Sequence, residues 1–206
     1  MDVTAVASDL PVPEGAAPGL FRAVLAGTLT ARQTALDALL AQGVLVPDQE
    51  PTMWVYRVVH AGRRWVGVFC GVETSDIVHL AQAQPTAVAA AEEVLRALGR
   101  QVEPIVVHCQ MPEGVLDLYI HDTNERPAYH FVASDGATHS AWIIRNADAY
   151  VELLRLAEPR ALLRGAAQLV AVHRMGVPAM VILTRDLAQL AELEPSLAPR
   201  SGLFIA

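Results

Sequence analysis

Apolar positions along this chain change period several times, and each change predicts an element. Leu36, Leu39 and Leu40 recur at helical spacing behind Thr30, a helix cap, and Gly43 stops that run. Met53 to His60 and Trp65 to Val72 are two short apolar and β-branched runs around Ala61-Gly62-Arg63, which predicts a hairpin. Pro85 and Thr86 open a second helix through Val88, Val94, Leu95 and Leu98, closed by Gly99. Ile105 to Cys109 predicts a short strand. Val115 to Ile120 fits helix or strand, because a short apolar run carries no decisive period.

Farther on, Tyr129 to Ala133 and Thr138 to Ile144 predict a second hairpin about Asp135-Gly136. Ala147 to Leu156 is helical, and Pro159 marks the start of another helix. Its stripe Leu162, Ala166, Leu169, Val170 carries His173 and ends at Gly176. Pro178 to Leu183 predicts a strand, Leu187 to Leu193 a short helix, and Leu203 to Ile205 a last strand. Residues 1–29, rich in Ala, Pro and Gly, predict an irregular arm before a single domain over 30–206. The fold class expected is α+β, a mixed α/β domain with hairpins and packed helices.

Composition narrows the function classes. The chain has 206 residues, 53% hydrophobic and 18% charged, too apolar to remain disordered. No apolar run reaches the ~20 residues that span a bilayer, so no membrane partner is expected. The first residues carry Asp2 and Asp9 without a basic segment, and Cys70 and Cys109 sit in strand-like stretches as buried small hydrophobes. These features point to the cytoplasm. The net charge is -7 and the basic residues are scattered, with Arg63-Arg64 the densest pair. Counterion release from phosphates needs a clustered positive face, so no nucleic-acid partner is expected.

The candidate chemistry is sparse. Seven histidines (His60, His79, His108, His121, His130, His139 and His173) show no zinc-site spacing, and neither cysteine lies in a CxxC, so no metal is expected. Glu92-Glu93 and Glu192/Glu194 read as solvated helix faces. Glu103 precedes Pro104, where strand geometry is a sufficient reading. No nucleophile elbow is present.

Four segments, in order, resemble one family. Leu36-Asp37-Ala38-Leu39-Leu40-Ala41-Gln42-Gly43-Val44-Leu45, then Glu50-Pro51 and Trp54-Val55-Tyr56-Arg57, resemble its helix–"eGvL"–"YvYr" opening. Val66-Gly67-Val68 continues that match. Asp135-Gly136-Ala137-Thr138-His139-Ser140-Ala141-Trp142 resembles its "DGvtHrlW" signature, and Pro199-Arg200-Ser201-Gly202-Leu203 its "PK-SGL" ending. This large prokaryotic family has long been catalogued as a domain of unknown function. Its core is similar to the ParB/sulfiredoxin fold and to the archaeal free serine kinases.

The chain departs from the family pattern at the chemistry. No "PPYD" segment is found in residues 1–28, and His79 is followed by Leu80 where the family has "HE". The family's "ADGHHR" turn reads Leu163-Arg164-Gly165-Ala166-Ala167-Gln168 here. An His-His-Arg cluster at a helix N-terminus would clamp phosphate oxygens together with the backbone N–H groups. Two alanines supply neither charge nor a proton acceptor, whereas transfer also needs a carboxylate and usually a metal. The resemblance therefore implies a pseudoenzyme. Its remnant pocket would be built from Arg164, Gly165 and Gln168, with His139, Asp135 and His79 as further candidates. His139 either faces that pocket as an acid/base group or braces the Asp135-Gly136 turn. The expected ligand is a small anionic metabolite, nucleotide or phosphate, or a protein partner, with no dedicated cofactor. The alternatives are an active amino-acid kinase or other enzyme on a remodelled site, and a self-associating, homo-oligomeric module.

Overall fold

The structure, a computed structural model, describes residues 3–4, 9–11, 24, 27–43, 45–47, 52–132 and 136–185. The predicted elements at 187–193 and 203–205 lie outside them, as does Asp135. Within the arm, two short strands stand where irregular chain is predicted, β1 (Val3–Thr4) and β2 (Asp9–Pro11). β2 pairs with β3 (Leu45–Pro47).

Helix α1 (Leu29–Ala41) is capped by Thr28, whose hydroxyl accepts from the Ala31 N–H, two residues earlier than Thr30 suggested. Strands β4 (Trp54–His60) and β5 (Arg63–Val72) form the first hairpin. Its two turn residues, Ala61 (φ 48°) and Gly62 (φ 77°), both adopt positive φ, the two-residue turn whose twist matches the strands. Two 3₁₀ turns follow, Thr74–Asp76 and Val78–Leu80. Then come α2 (Pro85–Leu98), β6 (Ile105–Gln110) and α3 (Glu113–Thr123). The ambiguous 115–120 run is thus a helix. β7 (Tyr129–Val132) and β8 (Thr138–Ile143) form the second hairpin, and α4 (Ala147–Arg155) follows.

Residues 158–164 correct the prediction. They are a strand, β9 (Glu158–Arg164), not the start of a helix. Among the described strands β9 is an edge strand paired with β6, and the register shifts beside the Cys109–Pro159 pair, the kind of position at which a strand tolerates proline. Leu162 packs into the helical side of the sheet and Leu163 into the other, the alternation of a strand. The helix begins only at α5 (Ala166–Met175), and β10 (Ala179–Thr184) ends the described chain.

Apart from the β2-β3 pair, the strands form one sheet in the order β7-β8-β4-β5-β10-β6-β9, with β1 beside the end of β5 that β4 leaves open. All neighbours are antiparallel except β10 and β6. One face carries Val55, Cys70, Ile105, Val107, Trp142, Val181 and Leu183, against Val88 and Leu95 of α2, Val115 and Tyr119 of α3, Tyr150 and Leu154 of α4, and Leu169 and Val172 of α5. The opposite face gathers Trp54, Tyr56, Trp65, Phe69, Met180 and Ile182. Helix α1 stands outside this layer, with Leu36 and Leu39 packed on Leu98 and Val102. The architecture is α+β, as the patterning predicts. Cys70 and Cys109 are free and fully buried.

Candidate functional site

At the far edge of the sheet, β9 runs through Arg164 into Gly165, which stands at the N-terminus of α5 with φ 88° and ψ 28°. A Cβ there would lie 2.9 Å from Ile105 Cγ1 and 3.2 Å from Ile105 Cα. Glycine is therefore required twice, by its left-handed conformation and by the close pass over β6. Among the described residues no side chain caps the helix at this end, and its first turn holds no acidic residue. The first N–H groups of α5 thus keep the partial positive charge of an open helix start.

Three of the six predicted site residues fall within five consecutive residues here. Arg164 is half-buried at the strand end, Gly165 makes the turn, and half-buried Gln168 lies in the first turn of α5. The 3₁₀ turn Val78–Leu80 packs against both β9 and α5, which brings exposed His79 to the same neighbourhood. Gln168 Nε2 donates to Glu103 Oε2 at 3.2 Å. Where the resemblance predicts a cation, the chain has a neutral amide held by a carboxylate. Glu103 is the member that sequence reasoning missed. Its signal in the chain is an acidic residue leading into β6, at a Glu103-Pro104 step for which strand geometry alone is a sufficient reading.

His139 lies elsewhere. It sits on β8, five strands from β9, roughly 24 Å at about 4.8 Å per strand. Its register partner is Val58, so its ring joins the face opposite the helices, and it is completely buried. His139 Nδ1 and the Tyr56 hydroxyl are hydrogen-bonded at 2.6 Å, and the two rings stack with centroids 6.0 Å apart. The ring is satisfied core structure and meets neither the Gly165 turn nor, through this bond, the Asp135-Gly136 turn. The geometry does not bring it together with Arg164, Gly165 and Gln168.

The remaining candidates are accounted for locally. His173 is exposed in the last turn of α5, with Nδ1 2.9 Å from Thr74 Oγ1, and shares no stripe with Leu162. Burial pushes the Cys109 thiol up to about 12, and burial followed by the neighbouring Cys109 raises Cys70 well above its ordinary value. Neither thiol is poised as a nucleophile. Glu92 is held below the usual carboxylate range by hydrogen bonds from Arg174 and Arg96, an α2–α5 clamp. Among the described residues, no three His, Cys, Asp or Glu side chains converge as a metal site, and no helix is long and apolar enough to cross a membrane.

No curated protein and no solved structure matches the chain. A family described as a protein of unknown function, DUF1015, matches residues 26–163. That span covers the sheet from β3 into β9 and stops one residue short of Arg164. On that match, over more than half of its length, the chain belongs to the DUF1015 family.

Proposed function

We propose that the protein is a catalytically degenerate relative of ParB-like free serine kinases that binds a small anionic metabolite at the β9–α5 turn without transferring a phosphoryl group. The observation that carries this reading is the uncapped N-terminus of α5 directly behind the half-buried Arg164. Backbone N–H groups and a guanidinium together suit a carboxylate or phosphate. Ala166 and Ala167 leave the turn without a side chain that carries protons, and Gln168 is engaged by Glu103. The Glu103 carboxylate at the same helix end disfavours a highly charged anion. It suits a ligand that carries an ammonium group beside its anionic one.

The test is a two-part incubation. With ATP or ADP, magnesium and serine, the protein is expected to form no phosphoserine. Serine is expected to raise the melting temperature in the wild type by linkage, more than phosphate or ADP does, and to do so far less in Arg164→Gln. Turnover that depends on Glu103 overturns the degenerate reading. The absence of any ligand effect, with a melting temperature that rises with protein concentration, favours a self-associating module.

A further inference from the structure

A second polar site lies at the other end of the sheet, beneath α3. Arg57 occupies the middle of β4, flanked by Val66 of β5 and Ser140 of β8. It points to the helical face, the face of its register partners and of Trp142. Its guanidinium carbon sits 4.5 Å from the centre of the Trp142 ring, and its Nε–H is buried without a hydrogen-bond partner. Among the described residues no carboxylate pairs with it. A half-buried cation in a strand interior with an unmet donor costs free energy, and an arriving anion recovers it.

The surroundings supply the rest of a binding site. Ser140, opposite Arg57 in register, is 2% exposed, and its Oγ lies 3.0 Å from His130 Nδ1. Helix α3 packs over β4 and β8. The chain just past its C-terminal end is held to β8 because Trp142 Nε1 donates to the Glu125 carbonyl at 2.7 Å. Tyr119 lies in α3, four residues before its end at Thr123. It is 5% exposed, belongs to the packed cluster that holds Trp142, and has a buried hydroxyl without a partner. Two orphan donors, one of them cationic, thus stand on α3 and on a strand that α3 packs over.

We propose that Arg57, with Trp142, Ser140 and Tyr119, forms a second binding site that accepts a monocarboxylate. A single guanidinium neutralises one negative charge. A phosphate dianion would leave a net charge against Trp142 and the apolar underside of α3, where desolvation is costly. The site is four strands from the β9–α5 turn and does not depend on the function proposed for that turn.

The experiment is a titration of the full chain with sodium acetate, matched at each point by sodium chloride, followed by ¹H–¹⁵N spectra. Acetate is expected to shift the Arg57 Nε–H and Trp142 Nε1–H resonances saturably, with an affinity that does not depend on any response of the Ala166 to Gln168 amides. Arg57→Met is expected to weaken this binding at least about tenfold, and Tyr119→Phe, which keeps the ring in the core, by about fivefold. Sodium phosphate is expected to bind these resonances more weakly than acetate. No saturable shift beyond chloride, or unchanged affinity in a folded Arg57→Met, overturns the site. Unchanged affinity in Tyr119→Phe removes Tyr119 from it, and tighter binding of phosphate overturns the choice of a monocarboxylate. Shifts at Ala166 to Gln168 report on the other turn, so the two readings fail separately.

Discussion

The two hairpin-bearing and helix-bearing ends of the sheet treat their polar groups in opposite ways. At β8, His139 is sealed in the core and bonded to Tyr56, so its chemistry is spent on holding two strands together. At β9, the turn through Gly165 leaves a helix N-terminus uncapped beside Arg164. His139, in the segment most like the family signature, is thus bonded within the core, and the open start of α5 lies just beyond the span that the family match covers. A motif residue carries chemistry only where the fold leaves its atoms something to bind.

The comparison breaks most sharply at His139. His139→Ala removes a buried ring and leaves the Tyr56 hydroxyl without this partner, a cost of about 3–5 kcal/mol. Urea unfolding is expected to show the full loss, while ligand affinity at the β9–α5 turn stays unchanged in the folded fraction. Loss of binding with stability intact would return His139 to the site. Gly165→Ala forces a side chain into left-handed backbone against Ile105, for about 1–3 kcal/mol. Here stability and ligand binding are expected to fall together, because the turn itself is displaced.

Much of the fold was legible in the chain. The first hairpin, α2 between Pro85 and Gly99, and the Tyr129–Ile143 hairpin follow from local turn and capping chemistry that tertiary contacts reinforce. The strand at 158–164 was not. Its proline suggests a helix start, and only its position at the sheet edge makes that proline acceptable. The helix at 113–123 is decided by long-range packing of Val115 and Tyr119, which no local period encodes. In the candidate site, Arg164, Gly165 and Gln168 were readable because they fall within five consecutive residues. Glu103 was not, because its link to Gln168 joins residues 65 apart. Arg57 was legible as part of a segment but not as a cation without a counter-ion, which depends on what three strands and a helix place around it.

Smaller effects sharpen the contrast between the sealed interior and the open surface. Both thiols have folded pKa values above the ordinary 9.0, so the folded state resists ionisation that the unfolded chain undergoes. Their contribution to stability is complete below pH 9.0 and declines as pH rises toward about 12. Chemical denaturation across that range is expected to show the decline, reduced in a Cys109→Val variant. Glu92 gives the opposite sign. Its folded pKa is lowered, so its contribution is present above its ordinary 4.5 and disappears as pH falls below it. Arg174→Gln is expected to flatten that acid limb slightly, since the pair is exposed and screened by salt.

The most direct test of the anion-binding account is a serine titration of the backbone amides of Ala166, Ala167 and Gln168 in the wild type and in Arg164→Gln. Saturable shifts at those three amides, weakened about tenfold in the variant, are the expected result. Amides that do not respond, or that respond equally in both proteins, would contradict it.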